Sequence, residues 1–357
     1  MMSDKKILIV IAVYNGAQYL RDCLSSLAKI TYPKDNFKVL AIDDASTDDS
    51  AEYIKNNWPE IKLIVNKKNI GFAAGNNLGM QYGLDHNFDY IYLLNQDTVV
   101  KPDFLEKAVE IGEKQKEIGA VQSKLLLYQD QEKINSIGNE IHYLGFAFAG
   151  GYQLLDQAMV EKEITYPSGA CVLLKTSALK EVGLFNEEFF MYHEDTDLGW
   201  RMWLSGYKVM LAPDSIVYHK YEFSRSIKKY YYMERNRRLV VFQNYKLPTI
   251  LLILPACFFM NLAMFFYSFI AGLPAGRQGW WREEFKVISY FLKPNSWQKI
   301  FKTRHEIQAK RKVKDKLIIK RFVGKIDFQD IQNPLLKYIV NPVFNFYWQI
   351  IKKLIWW

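Results

Sequence analysis

Over the first hundred residues the chain alternates between two hydrophobic patterns. Short unbroken apolar runs, "KILIVIAVY", "FKVLAIDD", "IKLIVN" and "DYIYLLNQD", read as strands, the first of them fully buried. Between the runs the period lengthens. Leu20, Leu24 and Leu27 recur at helical spacing in "NGAQYLRDCLSSLAKI", and "GFAAGNNLGMQYGL" reads as a further helix. Ser46 is positioned to cap a third, "STDDSAEYIKNNW". Strand–helix alternation of this kind predicts a parallel α/β sheet with ligands at the carboxyl ends of its strands. Polar residues stand at those ends: Tyr14-Asn15, Asp43-Asp44 and Asn95-Gln96-Asp97.

Residues 121–165 carry a weaker pattern, read as strands with a variable loop. A strand at Ala170–Leu174 and a helix from about Thr176 follow, and "YKVMLAPDSIVYHK" reads as two more short strands. "KKYYYMERNRRLVVFQNY" is a basic, aromatic helix. Residues 247–276 then carry no charged side chain, enough to span a hydrocarbon core of about 30 Å. Pro255 and Asn261 interrupt that run without excluding a span. Both of its flanks are basic, whereas a single crossing would put one flank on the disfavoured side. Three readings stay open: a re-entrant or interfacial segment, a segment joined by the aromatic stretch 335–357, or a buried helical hairpin. "AGLPAGRQG" at 271–279 reads as a flexible turn. The expected division is 1–245, 246–276 and 277–357.

The net charge of +9 changes this picture only locally. Between Arg277 and Lys325 there are 15 Lys or Arg against 4 acids, so the rest of the chain is slightly acidic. Charge confined to one tail segment points to an anionic membrane surface and away from nucleic acid. Cys23, Cys171 and Cys257 are far apart with no C-x-x-C spacing, which indicates neither a disulfide framework nor a zinc site. The N-terminus lacks a small-residue cleavage site, and Ile7–Val13 fits a first strand better than a signal peptide.

One stretch does not fit a core. "FFMYHEDTDLGWRMW", residues 189–203, sets Glu194, Asp195 and Asp197 among aromatics, with no Lys or Arg until Arg201. Buried carboxylates without partners are costly, so such a cluster is a solvated cap or a site. "VYN", "DDASTDDS", "NIGFAAGNNLGM", "LLNQDTVV" and this stretch with its continuation to "SIVYH" keep one order and spacing. As a set they resemble family 2 glycosyltransferases of the GT-A fold, in the rhamnosyltransferase-like branch that builds bacterial cell-surface polysaccharide. The resemblance covers about residues 5–245.

It implies an inverting enzyme, with a nucleotide-diphospho-sugar donor, a glycan or lipid-linked acceptor, and Mn2+ or Mg2+. The expected donor site is Val13, Tyr14, Asn15, Asp43, Asp44, Gly71, Asn76, Asn95 and Asp97. Tyr14 offers an aromatic surface and Asp43 an acceptor for a base imide N–H, although an Asx turn capping the next helix would also use that aspartate. The small residues around Gly75 permit close approach to base and ribose, or equally close helix–sheet packing. "NQD" stands where the family has D-x-D. Asp97 supplies a hard oxygen ligand, Asn95 keeps the ribose contact, and His219 matches the late histidine of the metal site. By the same resemblance Asp195 is the general base and Glu194 its neighbour, while Asp197 serves the first helical turn. The implied location is the cytoplasmic face of the cell membrane. A processive polysaccharide synthase shares this core but normally adds Q-x-x-R-W, which the sequence lacks. A non-catalytic nucleotide-binding scaffold is the remaining alternative.

Overall fold

Residue burial explains the element order. β1 (Ile7–Val13) is buried on both faces, which is why its sequence is an unbroken apolar run. The structure, a computed structural model, describes residues 4–221, 229–270, 280–327 and 334–357. The expected turn at 271–279 lies outside them. After β1 come α1 (Ala17–Leu27), β2 (Phe37–Asp43), α2 (Ser50–Asn57), β3 (Lys62–Val65), α3 (Phe72–Asp85) and β4 (Tyr90–Leu94). Then follow β5 (Thr98–Val100), α4 (Phe104–Gly112), β6 (Ile118–Leu127), β7 (Ile134–Ser136), β8 (Asn139–Ile141), β9 (Ala147–Ala149) and β10 (Lys162–Glu163). β11 (Cys171–Lys175), α5 (Thr176–Val182), α6 (Glu194–Leu204) and β12 (Lys208–His219) complete the series.

The sheet runs β10-β12-β6-β11-β4-β1-β2-β3. Its β4-β1-β2-β3 half is parallel as expected, and the register sets Val13 against Asp43. The other half departs from the expectation: β11 is antiparallel to both β4 and β6, so the sheet is mixed. "YKVMLAPDSIVYHK" forms one strand with a register shift between Ala212 and Ile216, and it pairs with β6 throughout. Its last residues also pair with β5, Thr98 against His219. That pairing brings two sequence-distant polar residues to one edge.

The chain divides into two units, Met1–Asn139 with Ala149–Tyr221 and Glu140–Phe148 with Glu222–Trp357. The boundary expected at residue 245 therefore moves. α7 (Tyr230–Asn244) belongs with the helices α8 (Leu247–Ile270), α9 (Trp281–Leu292), α10 (Pro294–Lys310), α11 (Asp315–Ile318) and α12 (Asn341–Leu354).

The reason is a set of polar contacts that the basic composition did not reveal. The last carbonyls of α7 are capped by basic and amide side chains. Arg304 donates to Phe242 O and Tyr245 O at 2.6 and 2.5 Å, and Gln308 donates to Gln243 O and Asn244 O at 3.2 and 3.0 Å. Cations at a helix C-terminus oppose the negative end of its dipole. Arg237, buried, pairs with Glu234 at 2.8 Å and donates to Asn261 Oδ1 of α8 at 2.8 Å and to Leu144 O at 3.0 Å. On α8, Leu251, Leu254, Phe258, Leu262 and Phe266 are 41–67% exposed and recur every three or four residues. They form one bare apolar stripe along the helix.

Candidate active site

The ends of β1, β2 and β4 are tied together by side chains that the hydrophobic pattern leaves outside the core. Asn15 adopts φ 48° and accepts from Thr47 N at 2.8 Å, while its own N–H donates to Ser46 Oγ at 3.0 Å. Ser46 therefore does not cap α2, which begins at Ser50. Ser50 Oγ and Asp48 Oδ2 accept from Gly16 N and Ala17 N at the start of α1, at 2.8 and 3.1 Å. Gln96 and Tyr14 exchange two hydrogen bonds: Tyr14 N to Gln96 Oε1 at 3.0 Å, and Gln96 Nε2 to Tyr14 O at 3.1 Å. The Tyr14 ring stays 46% exposed beside them. Val13, buried, accepts from Asp44 N at 2.7 Å.

The two aspartates after β2 divide their work. Asp43 is 1% exposed. Its Oδ1 accepts from Ser46 N at 3.0 Å, an Asx-type turn, while Oδ2 is buried with no partner among the described residues. An ionised oxygen left so is costly unless a ligand donor meets it. Asp44 is fully engaged inside the protein. It accepts from Asn66 Nδ2, Ile70 N and Gly71 N, each at 2.9 Å, and so holds the loop that leads into α3. Hydrogen bonds to a charged group contribute about 1.5–3 kcal/mol each. Asp44→Ala should therefore destabilise the fold by on the order of 3 kcal/mol, read from a denaturant midpoint. A change within error would show that the loop is held by other means.

The glycines of α3 answer the packing question position by position. A Cβ at Gly79 would lie 2.2 Å from Val10 Cγ1, and one at Gly83 would lie 2.7 Å from Ile91 side-chain carbons. Both are close helix–sheet contacts. One turn nearer the helix start the same face passes the end of β1, and a Cβ at Gly75 would meet nothing within 4 Å. Gly71, at φ 91°, is needed for a different reason: a Cβ there would lie 2.5 Å from the Phe190 ring. Asn76 is buried and donates to Phe72 O within the helix at 2.9 Å, and Asn77 clamps Phe185 from both sides of its amide.

After β4, Asn95 N donates to Ala170 O at 2.9 Å, which fixes "NQD" against β11. Asp97 Oδ1 stands 3.3 Å from His219 Nε2. His219 Nδ1 is 2.8 Å from Asn135 Oδ1, and an amide oxygen can only accept. Nδ1 therefore donates, and Nε2 faces a carboxylate oxygen. A protonated ring would close this pair on its own, and a neutral ring would leave a lone pair beside the carboxylate that a cation can share. Neighbouring ligands on a hexacoordinate ion with bonds of about 2.1 Å are about 3 Å apart, so this pair fits a divalent metal. Among the described residues no group of three or more His, Cys, Asp or Glu joins them, which leaves further positions to donor oxygens or water.

The acid stretch opens α6. Phe190, Tyr192 and His193 all have positive φ, at 63, 64 and 69°, and Phe190 O accepts from Ala73 N at 3.1 Å. Asp195 Oδ2 accepts from Gly169 N at 3.1 Å and Oδ1 from Thr196 N at 2.7 Å. Burial raises its pKa above the ordinary aspartate value, and these hydrogen bonds oppose the rise. On Glu194 its own backbone N–H opposes the rise, and its Oε2 is buried and unpartnered among the described residues. Burial, then the charge of Asp195, holds its pKa well above the usual carboxylate range. The positive end of α6 favours the ionised form of Asp195. The pair thus separates by environment: both pKa values are raised, and the donors on Asp195 favour its ionised form. Asp197, the third acid of the first turn, pairs with Arg201 at 2.7 Å, buried. Arg201 also donates to Val182 O and Leu184 O, locking α6 to the end of α5.

This separation has a pH signature. Glu194 stabilises the fold below its unfolded pKa of about 4.3, and that stability is lost as pH rises toward its raised folded pKa. Glu194→Gln should therefore melt higher than wild type at pH 8 and much closer to it at pH 4. An equal difference at both pH values would mean that Glu194 stays ionised in the fold.

Asn135 and the Gly169 N–H are hydrogen-bond partners of His219 and Asp195 that sequence reading did not find. Asn135 lies in the short strand β7 and Gly169 in the loop before β11, where no periodicity singles them out. In the chain's own connections, "VYN" meets Gln96, "NQD" meets Ala170, and Gly169 meets Asp195. One hydrogen-bonded rim runs from the strand ends to the start of α6.

A mixed α/β sheet with an acid-led helix beside the strand ends is the architecture of the GT-A nucleotide-sugar transferases. The crystal structure of GalNAc-T7 with UDP, GalNAc and Mn2+ aligns at a TM-score of 0.54 and 17% identity, over 67% of this chain and 48% of that one. Residues 8–183 match the model of glycosyl transferase family 2, and this part of the chain is a domain of that family. The poly-beta-1,6-N-acetyl-D-glucosamine synthase of Staphylococcus epidermidis is 28% identical over 210 residues, 58% of this chain. The chain spans about half of that relative, 48% of its length. The N-acetylglucosaminyl-diphospho-decaprenol L-rhamnosyltransferase of Mycobacterium tuberculosis is 26% identical over 234 residues, covering 59% of this chain and 75% of that protein.

Proposed function

We propose that the chain is an inverting glycosyltransferase of cell-surface polysaccharide assembly, moving a sugar from a nucleotide-diphosphate donor to a glycan or lipid-linked acceptor. The observation that carries this reading is the unpartnered buried Asp43 Oδ2 at one end of the rim that leads to Asp195. Asp43 Oδ2 accepts the imide N–H of a uracil or thymine base. Tyr14 covers the base with its exposed ring, and the open space at Gly75 admits the ribose, with Asn76 and Asn95 at its edge. Val13, Asn15, Asp44 and Gly71 act by shaping this wall. Asp97 and His219 would hold Mn2+ or Mg2+, whose charge stabilises the diphosphate as leaving group.

Asp195 takes the proton of the acceptor hydroxyl as that oxygen bonds to the anomeric carbon. The bond from that carbon to the diphosphate oxygen breaks, and its electron pair leaves with the nucleotide. Glu194, pushed toward its neutral form by burial, lessens the negative charge beside the base. The acid limb of turnover should lie above the ordinary aspartate pKa of about 4 and stay in place in Glu194→Gln. A limb that moves with that substitution would make Glu194 the titrating base.

Rhamnose from a dTDP donor is our reading of the sugar, supported by the name of the mycobacterial relative. A processive synthase is the second reading, supported by the similarity to the staphylococcal enzyme. A panel of nucleotide sugars, assayed for nucleotide release and product length with manganese, decides between them. Single additions from dTDP-rhamnose support the first reading and long products the second. No turnover with any donor, despite binding, would leave a non-catalytic scaffold.

A further inference from the structure

We propose that the helical unit is a monotopic anchor: α8 and α12 lie in the plane of one leaflet of an anionic phospholipid membrane, and neither crosses it. This inference depends on the helical unit alone and not on the donor chemistry above.

Two stripes carry it. The bare stripe of α8 has a counterpart in Ile339, Val343, Phe346, Ile350 and Leu354, again exposed and again at steps of three or four. The two helices are joined by polar contacts: Tyr347 Oη donates to Leu252 O at 2.6 Å, and Trp357 Nε1 donates to Thr249 Oγ1 at 2.8 Å. Exposed apolar surface of this extent marks an interaction face.

The far side of α8 excludes a crossing. By length it could cross, since its 24 residues extend about 36 Å. Asn261, near its midpoint, accepts from Arg237, which is paired with Glu234 and also holds the carbonyl of Leu144. A spanning α8 would carry this ion pair and a non-helical carbonyl to the depth where both are most costly. In-plane burial of about 5–10 Å takes in the apolar stripe and leaves the ion pair on the protein side.

Charge identifies the surface as anionic. Lys246 precedes α8, and Lys293, Lys299 and Lys302 follow α9 on exposed positions, so both flanks favour the same side. A cleft of about 410 Å³ is lined by Arg282, Lys286 and Lys293 with Tyr231, Tyr290 and the exposed ring of Phe285. Lys286 is paired there with Glu283. The cleft sets cationic donors beside an apolar surface, the chemistry of a phosphate headgroup above its acyl chains.

Two measurements test this. In inverted membrane vesicles from cells making the full chain, Lys246→Cys and Lys293→Cys should both react with an impermeant maleimide without detergent, over a wild-type background. Protection of either one until detergent is added means a crossing and overturns the proposal. The purified full chain should bind phosphatidylglycerol-containing vesicles at least tenfold better than phosphatidylcholine vesicles. The triple variant Phe258→Ser, Leu262→Ser, Phe266→Ser should lose at least tenfold of that binding at an unchanged melting temperature, because these side chains touch solvent. Equal binding to both vesicles, or binding retained in the triple variant, overturns it. So does a chain that ignores vesicles and forms a dimer that the triple variant dissociates, since the stripes would then face a second copy.

Discussion

Asp195→Asn should lower sugar transfer at least a hundredfold while leaving donor affinity near that of wild type. The magnitude is what removal of a general base usually costs, about 10²–10⁴ in rate. The amide keeps the volume of the carboxylate but cannot take a proton from the acceptor hydroxyl. It also has one acceptor oxygen in place of two, so it cannot satisfy both Gly169 N and Thr196 N, each now held by a separate oxygen. Some local loosening at Gly169 is therefore expected, and donor affinity and melting temperature must be measured beside turnover. A loss confined to turnover identifies the base. Near-normal turnover removes Asp195 from that role, and loss of donor binding as well would mean that the rim itself had opened.

Asp97→Ala should weaken nucleotide-sugar binding in manganese buffer at least tenfold and abolish its response to chelator. Among the described residues Asp97 Oδ1 and His219 Nε2 are the pair proposed to hold the cation, so loss of the charged one removes most of the protein's hold. Asn135→Ala is the more discriminating change. It touches no ligand, yet it releases His219 Nδ1 and with it the ring orientation that turns Nε2 toward Asp97. Partners of this kind contribute about 10–100-fold to metal affinity, measurable by manganese titration without any sugar transfer. Wild-type activity that survives exhaustive chelation unchanged would show the metal assignment to be wrong.

The strand ends were legible because a buried strand must be apolar throughout, so Asp43 and Asn95 mark the positions where the apolar runs stop. The acid pair was legible because carboxylates among aromatics violate core composition. Three things were hidden, each for a physical reason. Asp43 and Asp44 look alike in sequence, and only the fold gives one of them three backbone and amide donors. β11 has the same apolar character as a parallel strand, since burial on both faces says nothing about direction. The basic tail reads as surface charge, although Arg304 and Arg311 reach α7 carbonyls that composition cannot locate.

The three left-handed residues before the acid pair have a consequence for engineering. Positive φ at a non-glycine residue costs of order 1–3 kcal/mol, so Phe190, Tyr192 and His193 together reduce the stability of the chain appreciably. Phe190 also presses its ring on the Gly71 position, so the strained turn touches the loop before α3 as well as leading into α6. Selection for heat resistance would find this turn early, because glycine at Tyr192 or His193 relieves the strain. The same relief would widen the range of positions open to Asp195. Thermostable descendants of this sequence are therefore expected to lose catalytic rate first at the turn, before any change reaches the carboxylates themselves.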